Sequence, residues 1–478
     1  MRTTLVFVAI ACVCLLGVSW SADVTVGTGG TYPTVQAGIN AAGAGGTVTI
    51  LDSQTYVEDV TIKAAQAGVT VQAAAGQRPT IRAANTRSDS LYSGAPLVIP
   101  PPDRFGLSVQ ASCTLIGLDI ENLSQTANHS NSFNADFTAC AMVVHAPNVV
   151  ARNCRFRAPT SFSTSPSGDL VAVLVIAFGS TPASLTLENC EIVGSEYGLI
   201  NETFGRYIPS YTTSTVNASN CLFTSSTSTN VLIDAGVTNL TTCTLANSQG
   251  DGIECRGDVT TLVGCNIVNN ASVGLHLNYS DDFALLHHFA RVSATNCLIA
   301  RNRGGGQDGD IRLADGRLTL DHCIIGEPQN TCAIFLDDNI DNPPEVPSPC
   351  VLNMDFCDVY APGHDCFSWD MDVNEHPITI TIKNSILIGA NGLVNTNPGA
   401  HPMSVSYSSL FVTGVATQGV TTSNNVTIDP MYVNPGLTRS GFKYLANNLN
   451  VGEGGAEIGS QGRYRGTPLD VRRWNLYD

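Results

Sequence analysis

The chain is poor in charge. Only 13% of its 478 residues are Asp, Glu, Lys or Arg, and 23 basic side chains against 40 acidic ones leave a formal net charge of −17. So little charge argues against a long helical bundle, whose solvated faces need it. No basic stripe is present, and an acidic surface repels a polyanion, so a nucleic-acid partner is not expected. No Cys-x-x-Cys pair occurs after residue 22, which removes the commonest zinc spacing and leaves no zinc ligands to assign. No apolar run beyond the N-terminus approaches the ~20 residues that a membrane span requires. What is abundant is Gly (44 residues), with Asn, Ser and Thr, the composition of an all-β solenoid. The acidity is compatible with Ca²⁺ or with a neutral or cationic glycan.

Residues 1–22 read as a secretory signal. Arg2 supplies the positive start, Leu5 to Val18 is apolar, and Ser19 and Ser21 place small residues before a cut at Ala22. Residues 23–478 are then one exported domain, expected as a monomer, secreted to the extracellular space or periplasm.

One phrase recurs along that domain: a cysteine followed two residues later by a bulky apolar residue. It stands at Cys154-Arg155-Phe156, Cys190-Glu191-Ile192, Cys221-Leu222-Phe223, Cys243-Thr244-Leu245, Cys265-Asn266-Ile267, Cys297-Leu298-Ile299, Cys323-Ile324-Ile325 and Cys357-Asp358-Val359, and Ser385 continues the series. Asn153, Asn189, Asn220 and Asn296 precede four of these cysteines. The intervals are 36, 31, 22, 22, 32, 26, 34 and 28 residues, a 22-residue unit with loop insertions. Ten residues after a ladder cysteine a new apolar strand begins, at Val231, Ile253, Leu275, Ala333 and Phe367; Ile311 follows Cys297 by fourteen because of the Gly304-Gly305-Gly306 insertion. Such short strands bury a face only when stacked at the ~4.8 Å strand spacing.

A 22-residue coil of three short strands resembles the right-handed parallel β-helix of the pectin-lyase-like superfamily. The resemblance spans nearly the whole mature chain. Gly29 to Ala42 looks like the short N-terminal capping helix of that fold, within a capping region of about 23–62. Gly454-Gly455-Ala456-Glu457-Ile458-Gly459 looks like the closing phrase of secreted bacterial members, within a closing region of about 430–478.

Fourteen mature cysteines in an exported chain ordinarily suggest disulfides. Here their even spacing argues for a reduced inward ladder, each sulfur acting as a small buried hydrophobe. Cys113 is assigned to the ladder through Cys113-Thr114-Leu115. Cys140, Cys255, Cys332, Cys350 and Cys366 fall outside it, and Cys332 and Cys350, flanking the Pro-rich stretch 342–347, are the best candidates for a bridge. Replacing Cys243 by Ser is expected to cost about 1–3 kcal/mol by burying a hydroxyl without an assured partner.

Strand alternation sorts the side chains. With the apolar starts pointing inward, the following residues, Leu232, Glu254, His276, Arg312, Ile334 and Ser368, point outward. Two positions further on come Asp234, Arg256, Asn278, Ala314, Leu336 and Asp370. One outward patch therefore gathers Asp234, Glu254, Arg256, His276, Asn278 and Arg312. In the resembling pectate lyases and glycosidases, the substrate groove runs over the outward face of one parallel sheet. An eliminating enzyme would use His276 as base and Arg312 or Arg256 as the carboxylate clamp; a hydrolase would use Glu254 with Asp234. Arg256 and Asn278 would contact substrate. Asp281, Asp282, His287, His288 and Arg291 lie in an insertion expected to wall the groove. Gln307-Asp308-Gly309-Asp310 and Asp337-Asp338-Asn339-Ile340-Asp341 are candidate Ca²⁺ turns.

Gly30-Thr31-Tyr32 with Gln36 resembles pectin methylesterases, and Gly250-Asp251-Gly252-Ile253 resembles polygalacturonases, but the Asp-Phe-Ile-Phe-Gly, Gly-Arg-Pro-Trp, Gly-His-Gly and Arg-Ile-Lys motifs of those enzymes are absent. The expectation is thus a protein that engages extracellular polysaccharide, as a lyase or hydrolase. The alternative is a surface or adhesion protein using the solenoid as a rigid rod.

Overall fold

The computed structural model describes residues 21–86, 105–123, 137–159, 169–178, 180–204, 212–278, 289–304, 308–314, 316–329, 331–337, 350–370, 378–432 and 458–460. Its strands assemble into three long sheets of 15, 13 and 11 strands, here A, B and C, and every pairing in them is parallel between successive coils. One coil shows the unit: Val237–Thr241 in sheet A, Thr244–Ala246 in B and Ile253–Cys255 in C, after which Val259–Val263 re-enters A. The chain is a parallel β-helix, with the right-handed crossover that twisted strands impose.

The A-to-B corner explains the recurring phrase. A single residue there turns left-handed: Asn153, Asn189, Asn220, Thr242, Gly264, Asn296, His322, Phe356 and Asn384 all have φ between 48° and 63°. Asn tolerates this region, whereas most residues lose about 1–2 kcal/mol, which is why Asn precedes the cysteines. His322 and Phe356 stack with ring centroids 5.0 Å apart, a contact that offsets their strain. The next residue turns inward. From Cys154 to Cys357 each of the eight ladder thiols donates to the carbonyl two residues back at 3.3–3.6 Å.

Several expectations are corrected here. Cys113 opens a sheet A strand, paired with Val149 and Val69, and the ladder position of its coil is Leu118. Cys332 and Cys350 are both free and buried; they lie in sheets C and A, so no bridge forms. The strand after Cys323 is shifted by one residue: Ile334, not Ala333, pairs with Ile311, so Phe335 and Asp337 stand in the outward positions expected for Ile334 and Leu336. The serines that continue the ladder find partners. Ser385 Oγ donates to Lys383 O at 2.6 Å and accepts from Cys357 N at 3.1 Å; Ser408 repeats both bonds. A hydroxyl is therefore satisfied at this corner.

Helix α1 (Val35–Ala42) closes the first coil. Thr34 caps it through Ala37 N, and the Glu58 carboxylate accepts from Val35 N and Gln36 N at 2.7 and 2.9 Å. Its buried face, Val35, Gly38, Ile39 and Ala42, covers the open stack; a Cβ at Gly38 would meet Val26 at 2.5 Å. At the far end Ile458 packs on Ile386, and Ser460 donates to the buried Asp358. Residues 1–20 and 454–457, which carry the signal and most of the closing phrase, lie outside the described residues. Among the described residues no helix is long and apolar enough to cross a membrane.

Burial holds the thiols of Cys113, Cys255 and Cys332 neutral, each pushed up to about 12. Because all fourteen described cysteines are buried, native protein should resist thiol reagents that label the unfolded chain, measured by mass spectrometry before and after denaturant. Cys243→Ser should lower stability by less than about 1 kcal/mol, whereas Cys243→Ala should cost about 1–3 kcal/mol by leaving a cavity in the ladder. Denaturant titration of both variants checks the order; a larger loss for serine would refute the corner bond.

Candidate functional site

The outward column of sheet C changes character partway along. After Thr61 and Ser108 come Val143, Leu174, Ile200 and Leu232, then Glu254, His276 and Arg312, then Phe335 and Ser368. The apolar part is itself buried as a separate cluster with Phe105, Cys140, Val171 and Ile176. Glu254 and His276 are recessed as well, 7% and 9% exposed. The polar window is three coils tall, bounded by Leu232 and Phe335. A merely solvated face would not be enclosed this way.

Pairing brings Glu254, His276 and Arg312 side by side, and the turn residues following the strands add the flanks. Glu254 Oε1 accepts from Arg256 Nε at 2.9 Å and from Asn278 Nδ2 at 3.2 Å, and Arg256 Nη1 lies 3.9 Å from Asp234. Asp234 and Glu254 are thus joined through one guanidinium. Arg312 is held between Asp308 (3.3 Å) and Asp337 (2.5 Å), so its charge is already matched.

Two carboxylates that sequence reasoning did not place in the patch complete it. Asp251 Oδ2 meets His276 Nδ1 at 2.9 Å, while Asp251 Oδ1 accepts from Val273 N at 3.0 Å. This bond fixes Nδ1 as the protonated nitrogen when the imidazole is neutral, leaving Nε2 as the acceptor. Nε2 is buried and has no hydrogen-bond partner among the described residues. The other newcomer is Asp308. The signal for both was the pair of turns Gly250-Asp251-Gly252 and Asp308-Gly309-Asp310, which open sheet C strands, but a turn residue's direction is not set by strand alternation.

The two acids differ. Burial acts to raise Asp251, yet the His276 bond and charge bring it below the usual aspartate range. Asp308 is raised by burial and by the charges of Asp251 and Asp337, against the attraction of Arg312 and His276.

Other expectations move. Arg291 begins a sheet A strand, paired with Val259 and Arg317, so it is not in a loop over the patch. Asp281, Asp282, His287 and His288 lie outside the described residues, as do Asp338 to Asp341. Asp310 is buried and ends an internal amide ladder. Asn230 Nδ2 donates to Asn270, Asn270 to Asn302, and Asn302 to Asp310. Of the described carboxylates in the two acidic turns, Asp310 is turned inward and Asp308 and Asp337 pair with Arg312. Among the described residues no three His, Cys, Asp or Glu side chains converge to hold a metal ion.

No protein-family model matches this chain, and no curated protein is similar to it in sequence. Among solved structures it is similar to pectate lyase Pel9A, at 11% identity over 91% of this chain and 92% of that one, with a TM-score of 0.35. It is also similar to PfbA, a surface adhesin of Streptococcus pneumoniae, at 10% identity over 82% and 84% of the two chains, with a TM-score of 0.33. These are likenesses of fold; the stacked parallel sheets carry that conclusion by themselves.

Because Asp251 is held below its ordinary pKa, its contribution to stability is present above that ordinary value and lost as pH falls through the lowered one. Asp251→Asn should lower the melting temperature at neutral pH, through a charged hydrogen bond typically worth about 1.5–3 kcal/mol. The gap to wild type should shrink in acid. A pH series of thermal melts checks this; a constant gap would show that the Asp251–His276 pair is not ionic.

Proposed function

We propose that the polar window of sheet C binds and hydrolyses a neutral or amino-sugar-containing extracellular polysaccharide, in an exported protein. The observation that carries the reading is the pair of half-buried carboxylates beside His276 and Arg312, one favoured in its ionised form and the other toward protonation. Environments that push two acids apart in this way define an acid and a base role. Asp308 in its acid form donates a proton to the glycosidic oxygen. His276 Nε2 takes a proton from the attacking water, and Asp251 stabilises the imidazolium that results. Glu254, fixed by Arg256 and Asn278, offers an oriented acceptor for sugar hydroxyls.

Charge favours this over β-elimination from a uronate. Five carboxylates (Asp234, Asp251, Glu254, Asp308, Asp337) surround two guanidiniums (Arg256, Arg312), both already engaged. With His276 and Asp308 neutral and the other four carboxylates ionised, the cluster carries two more negative charges than positive ones, and among the described residues of the window no free cation is left to clamp a uronate carboxylate.

The test is a polysaccharide panel scored for new reducing ends and, separately, for unsaturated products. Reducing ends without unsaturation are expected, with Asp308→Asn and His276→Ala each losing about 10²-fold or more in kcat, the usual scale for a proton-transfer group. The alkaline limb of the pH profile should lie above the ordinary aspartate range and vanish in Asp308→Asn. Unsaturated products would point to elimination, and glycan binding without products in wild type would leave the rigid-scaffold reading ahead.

A further inference from the structure

A second groove lies on the same coils, one corner away. At the B-to-C bend the chain again turns left-handed, at Asn247, Asn269, Arg301 and Glu327, with φ between 54° and 59°. These residues form one column, and Arg303 and Gln329 stand in the column two positions on. Together they line a groove of about 600 Å³. Its floor is rigid, because the buried Asn270 and Asn302 bond neighbouring coils from inside at 2.9 Å.

The groove's chemistry is the reverse of the sheet C window. Arg301 pairs with Glu327, whereas Arg303 is exposed and makes no ion pair among the described residues. The exposed amides of Asn247 and Asn269 make no side-chain hydrogen bond among the described residues. One net positive charge, on a chain of net charge −17, thus sits beside a row of open amides. Arg301 and Glu327 also occupy a backbone region that Asn adopts more readily, so local folding preference does not account for them. The coil spacing of ~4.8 Å is close to the length of one pyranose residue, so an oligosaccharide along the solenoid axis would meet one coil per sugar.

We infer that this groove is a binding site for an acidic oligosaccharide, distinct from the sheet C window. Arg303 and the free edge of Arg301 take the sugar's carboxylate or sulfate, and Asn247, Asn269 and Gln329 bond its hydroxyls. The inference does not depend on hydrolysis in the window. A polymer carrying both neutral and acidic sugars would suit the two sites together.

The test uses the full mature chain with three probes: hexagalacturonate, a dextran sulfate oligomer and the neutral cellohexaose, titrated by calorimetry at two salt concentrations. Binding of either anionic probe, weakened by salt and at least tenfold tighter than cellohexaose, is expected; which anion binds more tightly separates carboxylate from sulfate recognition. Arg303→Ala and Asn269→Gly, the latter keeping the left-handed turn without strain, should each weaken binding by about tenfold or more with little change in the melting curve, whereas His276→Ala and Asp308→Asn should bind as wild type. The inference is overturned if neither anionic probe binds, if Arg303→Ala binds as tightly as wild type, or if His276→Ala removes the binding.

Discussion

The structure depends on one constraint: each coil must stack in register on the one before it. A strand of three to five residues has no stability alone. Its backbone groups bond to the neighbouring coils, and its inward side chains meet their own equivalents one coil away. The A-to-B corner sets this register. A left-handed residue turns the chain by the same angle in every coil, and the cysteine or serine after it returns a hydrogen bond to the carbonyl two residues back. An error there would displace all three strands at once. The corner therefore repeats most faithfully, while length varies elsewhere.

The same stacking explains how function is arranged. On a rigid sheet, outward side chains at equivalent positions become neighbours without any loop having to close. Glu254, His276 and Arg312, spread over 59 residues of chain, stand side by side because Ile253, Leu275 and Ile311 stack behind them. The groove at the B-to-C corner follows the same logic, with the ladder from Asn230 to Asp310 behind it instead of an apolar core. Buried amides bonded from coil to coil hold a backbone in place as packing does, and leave the outer side chains to face a ligand.

Charge divides the two sites. In the sheet C window the guanidiniums are spent on Asp234, Glu254, Asp308 and Asp337, so what remains to act is an imidazole and carboxylates of unequal proton affinity. At the corner a single acid faces two arginines, so what remains is a cation. Neither site follows from the overall acidity of the chain, because local pairing decides which charges are available.

Much was legible in the sequence by itself. The Asn-Cys phrase and its 22-residue minimum determined the solenoid, because a repeated corner needs a residue that tolerates positive φ and a small inward side chain. Alternation determined which face Glu254, His276 and Arg312 share, since a strand has only two faces. Tertiary structure alone decided the rest. Asp251 and Asp308 sit in turns, where no periodicity predicts direction. The one-residue shift that exchanged Ile334 for Phe335 arose in the variable stretch between Cys323 and the next strand, where spacing is not conserved from coil to coil. Leu118 replaced Cys113 in the ladder because Gly117, not a residue before Cys113, makes the left-handed turn. Partners across coils, such as Arg312 with Asp337, are set by which neighbour each side chain reaches, and that is a property of the stack and not of the strand.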